Sequence, residues 1–305
     1  MDIIKNISII FISLFFESLP FLFLGSLISS IIETYISNEM IAKIIPKNKI
    51  LGSIVGLSLG FFIPACDCAV IPISKRLLKK KVPINVAITF MLASPIINPV
   101  VLLSTYNAFY RTNPEIFWYR LLFGIIISLL IGIIIGIIYS KKAVIKNSLI
   151  DDEECHCHHE KNTHHSLKND ILSICRHTAY DLFEVVKYLM FGALLASLVQ
   201  VLLPRNILMI FNNNQVLETI ILMIFAYLIS LCSTSDSFVG KSLLSIFNES
   251  SIIAYLLLGP MIDIKNTIVL LGNYKKGFVW TLIMLIFVVI FLFSLLVVKL
   301  LWKDI

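Results

Sequence analysis

Eight stretches of the chain are apolar on every side: residues 7–32, 48–64, 84–106, 117–140, 176–203, 215–232, 250–271 and 278–301. Most of them reach or approach the ~20 residues that a helix needs to cross a bilayer. Strands of an outer-membrane barrel would alternate polar and apolar positions, and these do not. The pattern predicts an all-α polytopic membrane protein with about eight transmembrane helices. Residues 140–170, "SKKAVIKNSLIDDEECHCHHEKNTHHSLKND", form the clearly hydrophilic interruption. They divide the chain into a first transmembrane half (1–140), a linker (141–170) and a second transmembrane half (171–305).

The halves resemble each other. A shift of 167 residues lays "FESLPFLFLGSLISS" (16–30) over "FEVVKYLMFGALLAS" (183–197), pairing Glu17 with Glu184 and Gly25 with Gly192. The same shift lays "CDCA" (66–69) over "STSD" (233–236), and two residues of slippage later "SPIINP" (94–99) meets "GPMIDI" (259–264). Chance alignment of apolar helices explains shared hydrophobicity, but not paired Glu, Gly and x-Pro positions. Duplicated halves with proline-broken polar segments at corresponding places are the sequence mark of a transporter. Four helices per half give a parallel repeat, and an extra crossing over residues 66–80 would invert it. Both arrangements fit.

Composition removes the soluble alternatives. The chain is 58% hydrophobic and 14% charged, against about 25% charged residues in a soluble domain. The net charge of +6 sits in loops without interleaved aromatics, so no nucleic-acid partner is expected. The N-terminal run contains Glu17 and Pro20 and no cleavage pattern follows it, which predicts a retained first helix. Outside the spans, thirteen Lys and Arg fall on the side of the N-terminus and linker and seven on the other. That places both termini and the linker in the cytoplasm of a multi-pass cell-membrane protein. The basic run Lys75, Arg76, Lys79, Lys80 and Lys81 is expected to anchor its helix end at that face.

Candidate chemistry begins at Cys66-Asp67-Cys68, between Pro64 and Pro72. Thiolates are soft ligands for Cu(I), Zn(II) and trivalent arsenic. Helical side chains two apart diverge, so two thiols this close meet on one ion only if prolines break the helix. An acid between them at membrane depth argues against mere packing. In the second half, Cys232, Ser233, Ser235 and Asp236 close an apolar helix, and the repeat sets them opposite the thiols in a shared cavity. Ser94-Pro95, Asn98-Pro99, Pro260 and Asp263 are expected to interrupt their helices and to add cavity wall. Glu17 and Glu184 are candidates for proton coupling, or for pairing with Lys or Ser across the bundle.

The linker holds Cys155, His156, Cys157, His158, His159, His164 and His165 beside four acids, a composition that captures Zn(II) or copper loosely. "SDSFVGKS" lacks the glycine a P-loop needs at position 235, where Ser235 stands. With no ATP-binding signature and no cofactor expected, secondary transport remains, with a homo-oligomer left open.

The Cys-x-Cys after a proline, the basic segment behind it, "SPIINP" and "STSDSF" together resemble the predicted-permease family that includes the ArsP-type organoarsenical exporters. The resemblance spans essentially the whole chain outside the linker. It implies an efflux permease of the cytoplasmic membrane whose thiols, here Cys66 and Cys68, engage a small inorganic or organometallic substrate. Asp67 and the Cys/His linker lean toward the family's copper and zinc efflux branch. A membrane thiol-redox protein using Cys66 and Cys68, and a metal-sensing scaffold working through the linker, are the alternatives. The first would prefer a Cys-x-x-Cys and a partner dithiol.

Overall fold

The computed structural model describes residues 2–35, 46, 48–63, 65–139, 144–145, 167–202 and 215–301. Twelve helices account for nearly all of them. The first six are α1 (Asp2–Tyr35), α2 (Lys49–Phe62), α3 (Val70–Lys79), α4 (Ile84–Ile97), α5 (Pro99–Phe109) and α6 (Pro114–Ile138). The last six are α7 (Leu167–Leu202), α8 (Gln215–Ile229), α9 (Ser233–Leu243), α10 (Glu249–Met261), α11 (Ile264–Asn273) and α12 (Lys276–Leu301). No strand occurs among the described residues beyond an isolated bridge of Ile145 with Tyr274.

Among the described residues, six segments are long and apolar enough to cross a membrane: most of α1, the pair α4–α5, α6, most of α7, the pair α10–α11, and most of α12. α2 and α8 are shorter apolar helices, and together these account for the eight predicted segments. The 14 residues of α2 reach about 21 Å, short of a ~30 Å hydrocarbon core. The same order appears twice: a long helix, a short apolar one, a short polar one, a broken pair, a long helix.

The broken pairs differ in one respect from expectation. Pro95 stays inside α4 and Pro260 inside α10, because a proline in the last turn costs a backbone bond without ending the helix. The breaks come just after, at Asn98 and at Ile262–Asp263. Each restarting helix is capped there by a side chain. Asn98 accepts from the Val100 amide at 3.0 Å, and Asp263 Oδ1 accepts from the Asn266 amide at 2.6 Å. Asn98 and Asp263 are the positions that the sequence repeat pairs.

α4–α5 and α10–α11 lie at the centre, 78% and 89% buried over their apolar windows, whereas α1 is 17% buried and faces outward. α4 is held between two seams of small residues. α2 buries Gly52, Ser53, Gly56 and Gly60. α6 turns Gly124, Ser128, Gly132 and Gly136 inward. A Cβ at Gly60 would lie 3.0 Å from the Ser94 amide, and one at Gly136 2.6 Å from Asn85 Cβ. Such close backbone approach is how helices associate where lipid removes the hydrophobic drive between them.

α3 corrects the reading of the basic run. Lys75 and Arg76 are buried, not spread at a membrane face. Lys75 Nζ donates to both oxygens of Glu184 at 2.9 Å. Arg76 donates to Asp181 at 3.1 and 2.6 Å, and Ser29 Oγ adds a third bond at 3.2 Å. Asp181 and Glu184 stand three residues apart on α7 and so share one face. Only the end of the run, from Lys79 to Lys81, reaches partly or fully into the surroundings.

Candidate functional site

α2 stops at Ile63, and the chain turns before α3 begins. The Ala69 and Val70 amides donate to the Cys66 carbonyl at 3.0 and 3.2 Å, closing a turn around Cys66–Ala69. From α4, Ser94 Oγ lies 3.3 Å from the carbonyls of both Ile63 and Ala65 and fixes the entry to that turn. Freed from helical geometry, the donor atoms of Cys66, Asp67 and Cys68 lie within 4.8 Å of one another. Cys66 is half-buried, and Asp67 and Cys68 are buried. Pro64 lies outside the described residues. Cys68 Sγ faces Ser18 Oγ at 3.8 Å. A small pocket opens here, lined by Glu17, Ser18, Phe21, Cys66, Asp67, Cys68, Cys232 and Lys265.

The far wall is the restart of the second broken helix. Asn266 Nδ2 donates to Asp67 Oδ2 at 3.0 Å. Lys265 Nζ lies 3.7 Å from that same oxygen and 3.8 Å from Asp263 Oδ2. All three charged side chains are at most 4% exposed. Burial of this order demands pairing, and the two acids and the lysine supply it for each other. A resident ammonium thus already stands against Asp67.

The second polar turn packs in the reciprocal way. Ser104 Oγ of α5 donates to the Thr234 carbonyl at 2.8 Å, and Thr105 and Ser237 hydroxyls lie 3.0 Å apart. Thus the turn of the first six helices rests on α11, and the first turn of α9 rests on α5. Cys232 reaches the thiol pocket, its Sγ 3.4 Å from Thr234 Oγ1. Ser233, Ser235 and Asp236 do not line that pocket. Ser233 offers its carbonyl to Arg120 Nη2 at 3.3 Å, Ser235 is half-buried, and Asp236 accepts from Tyr255 at 3.0 Å. Arg120, fully buried, donates from Nη1 to Thr105 and Ser237, both at 2.7 Å.

The remaining candidates divide clearly. Ser94, Asn98 and Asp263 hold backbone around the turns and breaks, with Asp263 one step behind the pocket through Lys265. Glu17 stands at the pocket rim, and Glu184 is taken up by Lys75. The linker ligands Cys155, His156, Cys157, His158, His159, His164 and His165 lie outside the described residues. Lys265, Asn266, Arg120 and Tyr255 were not among the expected residues. The signal for the two cations was their charge inside apolar spans, which is costly there and marks function or pairing. The paired glycines also find their use. A Cβ at Gly25 would sit 2.6 Å from Ala69 Cβ, and one at Gly192 3.0 Å from the Lys265 backbone. Each glycine lets its long helix press against one wall of the site.

Comparison with known proteins gives one family throughout. The family model described as a predicted permease matches residues 3–299. The chain is similar to the UPF0718 protein YcgR of Bacillus subtilis, at 40% identity over 94% of this chain and 95% of the relative. It is also similar to a putative two-component membrane permease complex subunit of Streptococcus mutans, at 37% identity over 88% of this chain and 87% of that one. No solved structure matches the chain significantly.

Proposed function

The chain belongs to the predicted-permease family, and from that premise we propose an efflux permease that exports a thiophilic metal or metalloid across the cytoplasmic membrane. One observation carries the reading. The donor atoms of Cys66, Asp67 and Cys68 converge within 4.8 Å in a non-helical turn, with Cys232 on the same pocket. Two or three thiolates on one ion suit Cu(I), Zn(II) or a trivalent organoarsenical. Asp67 adds an anionic oxygen, which favours a copper- or zinc-type cation over a neutral arsenical.

On this reading residues 1–140 and 171–305 are repeat-related halves, and substrate is held where their polar turns meet. The linker, 141–170, lies in the cytoplasm and collects the ion on its Cys and His side chains. Glu17, at the rim, is the residue placed to carry a coupling proton. The test replaces Cys66 and Cys68 with serine in a metal-sensitive host. Tolerance to the exported species is expected to fall to that of the host alone. Unchanged tolerance to copper, zinc and methylarsenite alike overturns the site.

A second reading concerns assembly. The Streptococcus mutans relative is named as one subunit of a two-component membrane permease complex. If this chain works likewise, its purification from native membranes in mild detergent yields a second membrane protein in equal amount. A single species overturns it.

A further inference from the structure

Lys265 sits in the first turn of α11, buried inside an apolar span. Two costs attach to that place. A charge at membrane depth is expensive, and the first turn of a helix disfavours a cation through the macrodipole. Packing alone would be better served there by an apolar side chain. The ammonium is nevertheless held almost midway between two acids, 3.7 Å from Asp67 Oδ2 and 3.8 Å from Asp263 Oδ2. Neither separation is a hydrogen bond.

The two acids are not equivalent. Asp67 Oδ2 already accepts from Asn266 Nδ2 at 3.0 Å. Asp263 Oδ2 has no hydrogen-bond partner among the described residues, while Oδ1 is committed to the Asn266 amide. Asp263 is therefore fixed in place with one oxygen to spare, a second seat for the ammonium. Lys265 also lines the pocket that presents Cys66, Asp67, Cys68 and Cys232. A cation entering that pocket meets a positive charge already there.

We propose that Lys265 is a tethered cation which an entering thiophilic cation displaces from Asp67 onto Asp263, so that this lysine sets the affinity and charge selectivity of the site. The inference rests on Cys66–Cys68 being the substrate site. The ammonium keeps its proton and its charge throughout, and Asp67 is released to become a further oxygen donor. Repulsion between Lys265 and the ligand scales with the ligand's charge. It therefore penalises a divalent ion twice as heavily, in free energy, as a monovalent one.

The experiment uses the full chain in lipid nanodiscs, titrated with silver(I) and with cadmium(II). Occupancy is read as protection of the peptide carrying Cys66 and Cys68 from alkylation, resolved by mass spectrometry so that linker thiols do not contribute. Lys265→Gln is expected to bind Ag(I) about tenfold more tightly and Cd(II) about a hundredfold more tightly. Lys265→Arg keeps wild-type values. Asp263→Asn, which retains a helix cap but weakens the second seat, loosens both. Should Lys265→Gln fail to fold, Asp263→Asn with Lys265→Gln removes one charge of each sign and is expected to bind more tightly than Asp263→Asn alone. Unchanged or weaker binding on loss of the lysine overturns the proposal, as do equal gains for the two ions. Absence of protection in the wild type overturns the thiol site itself, and the inference with it.

Discussion

Glu184 takes the Lys75 ammonium on both of its oxygens, each 2.9 Å from Nζ, and so ties α3 to α7 across 109 residues of chain. The pair is nearly dry, with side chains 5% and 12% exposed. Removing one partner of a buried pair strands the other charge and costs about 3–5 kcal/mol. Glu184→Gln is therefore expected to lower the unfolding temperature of the detergent-solubilised protein, and Lys75→Met with Glu184→Met to recover most of the loss. A Glu184→Gln protein that unfolds like the wild type yet transports nothing would make this residue a proton carrier instead of a strut.

The thiols should rank by position. Cys66 and Cys68 share the turn, Cys232 meets them across the pocket, and Cys175 is exposed on α7 away from it. Serine at either of the first two is expected to abolish metal tolerance in a sensitive host. At Cys232 it leaves a reduced level, and at Cys175 it changes nothing. Equal loss at Cys175 would remove the pocket from the explanation.

Two glycines give opposite expectations. A Cβ at Gly192 would come within 3.0 Å of the Lys265 backbone, which has no free end to move aside. Gly192→Ala should cost about 1–3 kcal/mol, as overpacking does. A Cβ at Gly277 meets nothing within 4 Å. Gly277→Ala should be neutral or stabilise by about 0.4–1 kcal/mol through the unfolded chain. Unfolding of the two variants side by side decides the point.

Tyr255 donates to Asp236 Oδ1 at 3.0 Å, and Asp236 Oδ2 has no other hydrogen-bond partner among the described residues. Tyr255→Phe leaves that carboxylate with neither oxygen bonded, a loss of about 1–3 kcal/mol. Asp236→Asn on top of it should then cost much less than it does alone. Additive losses in the double-mutant cycle would show that the two side chains do not act as a pair.

The eight apolar segments were legible because a bilayer demands continuous apolar length, and the breaks because prolines with Asn98 or Asp263 close by stand at matched places in the two halves. The convergence of the thiols was legible from Cys66 and Cys68 lying too close together for one helix face. The partners were not. Nothing near Lys265 in the chain, in "DIKNT", announces that Asp67 faces it, since that contact depends on how α11 meets the turn before α3. Arg120 likewise reads as a stray cation until Ser237, 117 residues away, supplies an acceptor. Lys75 and Arg76 read as surface charge because Asp181 and Glu184 lie beyond the linker. Local rules report where a chain must bend or stay apolar, and pairings between distant segments are decided by packing.

The reciprocal seating of the two polar turns makes the protein indivisible. Asp67, Lys75 and Arg76 lie before the linker and their partners Lys265, Glu184 and Asp181 lie after it, so a cut at residue 150 parts all three pairs. Each fragment would carry stranded charges that only its sibling can quench. Expressed as separate polypeptides, the two should be degraded singly and should restore each other when made together, with reassembly driven by the charges that each cannot keep alone.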